Sequence, residues 1–147
     1  MQEGFSLPFD NNEHSVRISQ GYNGPWSHRA FLMGEHKRLG DYRYSVDFEL
    51  PYNTQVLAAC DGTVYGVEDT LEDYYGGLDF ITGMNTFANF MMLKHEDENY
   101  SVYYHLSKDS SKVRKEEKVI KGQSIALTGR SGWIGNAPHL HFAVFEF

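Results

Sequence analysis

With 147 residues, 41% of them apolar and 15% aromatic, the chain is long enough to bury a full core and too apolar to be disordered. A net charge of −7 argues against a nucleic-acid partner, and a single cysteine excludes an intrachain disulfide or a thiolate zinc cluster. No run approaches ~18 consecutive apolar residues, so no membrane span is expected, and the chain reads as one domain over 1–147.

Met1-Gln2-Glu3-Gly4-Phe5 lacks the basic and apolar segments of a signal peptide. From there the chain is a succession of short β-rich runs at 15–19, 44–50, 62–67, 87–93, 101–106, 124–128 and 140–147. Gly24-Pro25, Pro51-Tyr52-Asn53, Asp61-Gly62, Gly76-Gly77, Lys121-Gly122 and 129–132 punctuate them as turns. No segment keeps a 3.6-residue apolar period over three turns. The expected fold is therefore all-β, a compact antiparallel sandwich or barrel-like core.

Two long loops, 27–42 and 68–85, are expected to wall or cover a site. Tyr74, Tyr75, Trp26 and Trp133 fall in loops where aromatics suit either a peptide groove or rim packing. Cys60 ends the apolar run Val56-Leu57-Ala58-Ala59 and reads as a buried structural thiol. The charged run 112–118 mixes both signs and reads as a solvated turn.

Chemistry concentrates near the end of the chain. In His139-Leu140-His141 the two imidazoles are two residues apart, so on a strand both project from one face while Leu140 and Phe142 face the core. Neutral imidazoles can place one nitrogen on a metal and leave another for acid–base work. Alternation in Tyr44-Ser45-Val46-Asp47-Phe48-Glu49-Leu50 puts Asp47 with Ser45 and Glu49, opposite Val46, Phe48 and Leu50. His105 ends its strand, where alternation gives it the face of Tyr103.

These segments resemble peptidase family M23, the lysostaphin- and LytM-like zinc endopeptidases. Ser45-Val46-Asp47-Phe48, Pro51 and 56–64 are similar to the family's metal-aspartate strand and following hairpin. Met92-Leu93-Lys94-His95 and Tyr103-Tyr104-His105-Leu106-Ser107 are similar to its central strand pair. Val119-Ile120-Lys121-Gly122-Gln123 and 128–132 then lead into Pro138-His139-Leu140-His141-Phe142. Four residues before the aspartate, where the common motif has histidine, this chain has Arg43, a permanent cation that cannot ligate zinc. A variant form of the family carries its histidine in an upstream glycine-rich motif, and 20–28, Gln-Gly-Tyr-Asn-Gly-Pro-Trp-Ser-His, resembles it.

The resemblance implies one catalytic Zn²⁺ held by His28, Asp47 and His141, with His36 as the rival first ligand. It implies His105 and His139 as catalytic groups beside the metal, and His95 as structural. His14, in a polar segment, carries no such implication. Peptidoglycan peptides are the implied substrate, an extracytoplasmic monomer the implied setting. Two other readings remain: an M23-like module that binds without cleaving, and a carrier-type domain, suggested by 121–126. A carrier needs one exposed Lys or His rather than an Asp with four histidines.

Overall fold

The computed structural model describes residues 4–12, 15–25, 28, 42–73, 88–132, 134–135 and 137–146. Its strands are β1 (Arg17–Gln20), β2 (Val46–Glu49), β3 (Gln55–Leu57), β4 (Gly62–Glu68), β5 (Phe90–Lys94), β6 (Asn99–Tyr104), β7 (Lys118–Val119), β8 (Ser124–Leu127) and β9 (Leu140–Glu146). Among the described residues a 3-10 turn, Tyr42–Tyr44, precedes β2, and no α-helix occurs. None of their helical segments is long and apolar enough to cross a membrane.

Seven strands form one sheet in the order β1-β2-β9-β6-β5-β4-β7, and β3 pairs with β8 in a second. Every pairing is antiparallel. The large sheet stays open, with β1 and β7 at its edges, so the architecture is layered and no barrel closes.

The small sheet covers one face of the large one. Val56 of β3 and Ile125 and Ala126 of β8 pack in one cluster with Met91, Leu93, Tyr103 and Leu140. The opposite face carries Met92, Tyr100, Val102, Tyr104, Ala143 and Phe145, also buried. Central strands covered on both faces lose the alternation of a half-exposed strand, which is why β5 reads as an unbroken apolar run from Phe90 to Leu93. β3 and β7 are short additions to the expected set. β3 draws on the apolar run before Cys60, which is buried, and β7 begins where the charged turn ends.

Two bulges interrupt the ladders of the large sheet. β4 pairs Val64 with Leu93 and Gly66 with Met92, leaving Tyr65 as the extra residue. β1 pairs Ile18 with Phe48 and Gln20 with Asp47, leaving Ser19 as the extra residue. A bulge of this kind re-aims the side chains beyond it.

Candidate metal centre

β2 and β9 lie side by side with Asp47 directly opposite His141, so both side chains leave the same face of the sheet. His141 Nδ1 stands 2.8 Å from Asp47 Oδ1. His28 approaches from the chain beyond β1, its Nε2 3.2 Å from Asp47 Oδ1 and 3.2 Å from His141 Nδ1. The His28 and His141 rings meet edge to face, centroids 4.9 Å apart. His28 Nδ1 lies 2.9 Å from the Gly21 carbonyl. A carbonyl only accepts, so Nδ1 carries the proton and Nε2 is left as a bare donor atom.

All three residues are buried. Burial pushes the Asp47 carboxyl up, but the hydrogen bond from His141 and the neighbouring imidazoles of His28 and His139 outweigh it and hold the group well below the ordinary carboxylate range. Burial lowers His141, against the opposing pull of Asp47. Asp47 is thus an anion, and burial keeps the His141 imidazole beside it neutral.

Three basic atoms, His28 Nε2, Asp47 Oδ1 and His141 Nδ1, share at most one proton in that state. A cation among them satisfies all three. Tetrahedral zinc with bonds of ~2.0–2.2 Å sets its ligand atoms about 3.4 Å apart. The observed separations of 2.8, 3.2 and 3.2 Å need little expansion to reach that. Two imidazoles and one carboxylate are also the donor types of an open, catalytic zinc site, so the residues present fit the ion.

His105 and His139 stand beside this triad. His139 Nε2 is 3.9 Å from Asp47 Oδ2. The His105 ring lies 4.7 Å from that of His139 and 6.2 Å from that of His141, centroid to centroid. His105 Nδ1 donates to the Ser131 carbonyl at 2.8 Å, and His139 Nδ1 to the Ala137 carbonyl at 3.1 Å. In both rings Nε2 is left free of these backbone bonds. Burial, reinforced by His139 and His141, pushes His105 down to about 3, so it is neutral through the physiological range.

The face expected for His105 needs correction. Tyr103 points into the core against Phe142, whereas His105 joins His139 and His141 on the opposite side. Its φ of 65° breaks the alternation at the end of β6 and turns the imidazole towards the triad.

The remaining residues singled out by sequence have plainer surroundings. His95 Nδ1 donates to the Asp61 carbonyl at 2.7 Å and Nε2 meets Ser101 Oγ at 2.9 Å, so it is a bonded core histidine. Arg43 extends over the Tyr44 ring, 5.6 Å from its centroid, while its carbonyl accepts the Asn23 N–H. His14, Trp26, His36, Tyr74, Tyr75 and Trp133 lie outside the described residues. The supporting groups Gln20, Asn89 and Ser131 carry no sequence signal of their own. Gln20 is visible only as a letter of the glycine-rich motif, and the other two make contacts that no spacing rule encodes.

The family model for peptidase family M23 matches residues 41–146. Over 97 residues, 66% of this chain, it is 39% identical to an uncharacterized metalloprotease of Haemophilus influenzae, covering 17% of that protein. It is 33% identical over 106 residues to the peptidoglycan DD-endopeptidase ShyA of Vibrio cholerae, covering 72% of this chain and 20% of that one. Among solved structures, a zinc-containing peptidase from Vibrio cholerae superposes with a TM-score of 0.65 at 27% identity, over 98% of this chain and 37% of that chain. The chain thus spans a fifth or less of the length of these two curated relatives.

Proposed function

The chain belongs to peptidase family M23, and from that premise we propose that it is a zinc endopeptidase cutting stem or cross-bridge peptides of peptidoglycan. The observation that carries the reading is the convergence of His28 Nε2, Asp47 Oδ1 and His141 Nδ1 within 4.8 Å of one another. Beside them stand two further imidazoles with their acceptor nitrogens free of the backbone bonds made at Nδ1. Its relationship to a peptidoglycan DD-endopeptidase supports the substrate class and an extracytoplasmic place of action.

His28, Asp47 and His141 would hold the ion, with His28 preferred over His36 as first ligand. Bound zinc supplies a Lewis acid that acidifies water and polarises the scissile carbonyl. Every other task falls to the chain. Asp47 leaves the two-histidine site with one negative charge, so the centre stays net positive. His105, neutral because it is buried, can take the proton of the attacking water at Nε2 and pass one to the leaving amine. In its protonated form it can donate to the oxyanion, as can His139. The backbone bonds at Nδ1 fix both rings for that work.

Metal analysis of the purified protein, followed by digestion of purified peptidoglycan with and without chelator, tests the reading. One equivalent of zinc with chelator-sensitive release of peptides is expected. Peptide release that persists in excess chelator overturns the metallopeptidase reading. Bound zinc without any cleavage shifts the conclusion to a wall-binding module.

A further inference from the structure

We propose that Gln20 is a positioning residue for the metal centre: its amide holds Asp47 so that only Oδ1 faces the ion. This rests on the zinc reading above and deepens it. Gln20 Nε2 donates to Asp47 Oδ2 at 3.0 Å, and both side chains are buried. The two carboxylate oxygens are thereby divided. Oδ1 faces His28 and His141, and Oδ2 is tied to an amide that can give a hydrogen bond but no charge.

Two features of the chain support Gln20 in that role. The first is the β1 bulge. Arg17 opposes Glu49 and Ile18 opposes Phe48, so regular pairing would set Ser19 against Asp47; the bulge passes over Ser19 and sets Gln20 there instead. A serine side chain at that point would be two atoms shorter than the glutamine amide.

The second is Gly24. A Cβ built on it would stand 2.1 Å from Gln20 Cγ and 2.7 Å from Cδ. Gly24 is not among the residues with positive φ, so its backbone does not demand glycine. The space for the Gln20 side chain does. The Gly24 N–H also closes a turn onto the Gly21 carbonyl at 3.1 Å, the carbonyl that orients His28. Asn23 sits in that turn at φ 54° and its N–H is anchored on the Arg43 carbonyl. One turn, 20–24, therefore supports both a carboxylate and an imidazole of the triad.

Zinc affinity by chelator competition tests this on wild type, Gln20→Met, Gly24→Ala, the double variant and Asp47→Ala. Gln20→Met keeps the side-chain length and loses the donor. It should weaken zinc binding about 10- to 100-fold, while the metal-free protein melts lower than wild type but still cooperatively. Gly24→Ala should match it by displacing the same side chain, and the double variant should fall well short of the product of the two losses. Cobalt(II) gives a second readout: with Oδ2 released, Asp47 can offer both oxygens, and the visible absorption of the loaded protein should drop as coordination number rises. Wild-type affinity and an unchanged cobalt spectrum in Gln20→Met, with Asp47→Ala unable to bind zinc, overturn the role of Gln20 alone. Multiplying losses in the double variant overturn the link between Gly24 and Gln20. A wild-type protein that takes up no zinc overturns the metal centre and this assignment with it.

Discussion

The Ser131 carbonyl accepts the Nδ1 proton of His105 at 2.8 Å, and His105 reaches it only by adopting a left-handed φ of 65°. That conformation costs a non-glycine residue about 1–3 kcal/mol and persists only where its surroundings enforce it. Here they do. Ser131 Oγ donates to the Leu106 carbonyl at 2.7 Å and accepts the Asn89 N–H at 2.9 Å. The Gly129 N–H closes on the His105 carbonyl at 2.8 Å. The backbone is held at a strained residue whose side chain faces the triad.

His105→Ala should therefore leave zinc binding intact and lower hydrolysis on the order of 10²-fold or more, because it removes a group acting on the transition state. Metal content and kcat measured on the same preparation check this. Loss of zinc with loss of rate would mean His105 is a ligand.

Asn89→Ala tests the support behind that histidine. The Asn89 side chain, fully buried, accepts the Leu71 N–H at 2.9 Å and donates to the carbonyls of Leu71 at 2.8 Å and Leu106 at 3.2 Å. Truncation strands the N–H and carbonyl of Leu71, while the Leu106 carbonyl keeps Ser131 Oγ, and should destabilise the fold on the order of 2 kcal/mol, read from the urea midpoint. The rate should fall further than the folded fraction explains, since Leu106 follows His105 directly. A loss under about 1 kcal/mol would show that water replaces the amide without penalty.

Much of this arrangement is legible in the sequence because it rests on period two. Alternation in β2 and β9 puts Asp47 and His141 on one face and Phe48 and Leu140 on the other, and their pairing brings the two ligands together. What alternation cannot give is any place where the strand departs from it. The Ser19 bulge sets Gln20 against Asp47, and the left-handed turn at His105 moves that ring to the face opposite Tyr103. β3 and β7, three and two residues long, are too short for a periodic signal. His28 is reachable only through motif resemblance, because nothing in the polarity of its segment marks a ligand.

Away from the centre, Tyr103 offers an alkaline test. Its hydroxyl accepts the Ala59 N–H at 2.9 Å and lies 3.1 Å from Ser101 Oγ, which in turn meets His95 Nε2. Burial pushes Tyr103 up to about 12 from an ordinary 10.0. The folded state thus keeps a proton that the unfolded chain gives up, so this contribution is complete below pH 10 and is lost as pH rises towards 12. Stability should fall between those limits in wild type and less steeply in Tyr103→Phe. That variant should start about 1–3 kcal/mol lower at neutral pH for want of the hydroxyl. Parallel curves would show that Tyr103 does not titrate differently on unfolding.

Acid should act on the metal-free protein through the centre itself. His105 and His141 are lowered chiefly by burial; Asp47, despite its own burial, is lowered by the hydrogen bond from His141 and the imidazoles around it. For each, the unfolded chain binds protons more readily, so stability rises with pH across the gap between the unfolded and folded values. For His105 the gap runs from 6.5 down to about 3, so its contribution is complete above the upper value and shrinks as pH falls. Asp47 adds to the loss only below its ordinary 3.8. The melting temperature of the metal-free protein should therefore decline from about pH 6.5 downwards and drop faster below about pH 4. His105→Ala should flatten the first part of that decline. Saturating zinc, at 100 times its dissociation constant, should add ~2.7 kcal/mol near neutrality. That increment should vanish in acid, where protons compete for His28 and His141. Melting temperatures of both forms measured from about pH 2.5 to about pH 8 decide the matter. A flat metal-free profile that His105→Ala leaves unchanged would mean that His105 gains no protection from protonation on folding, and that its neutrality in the site must come from elsewhere.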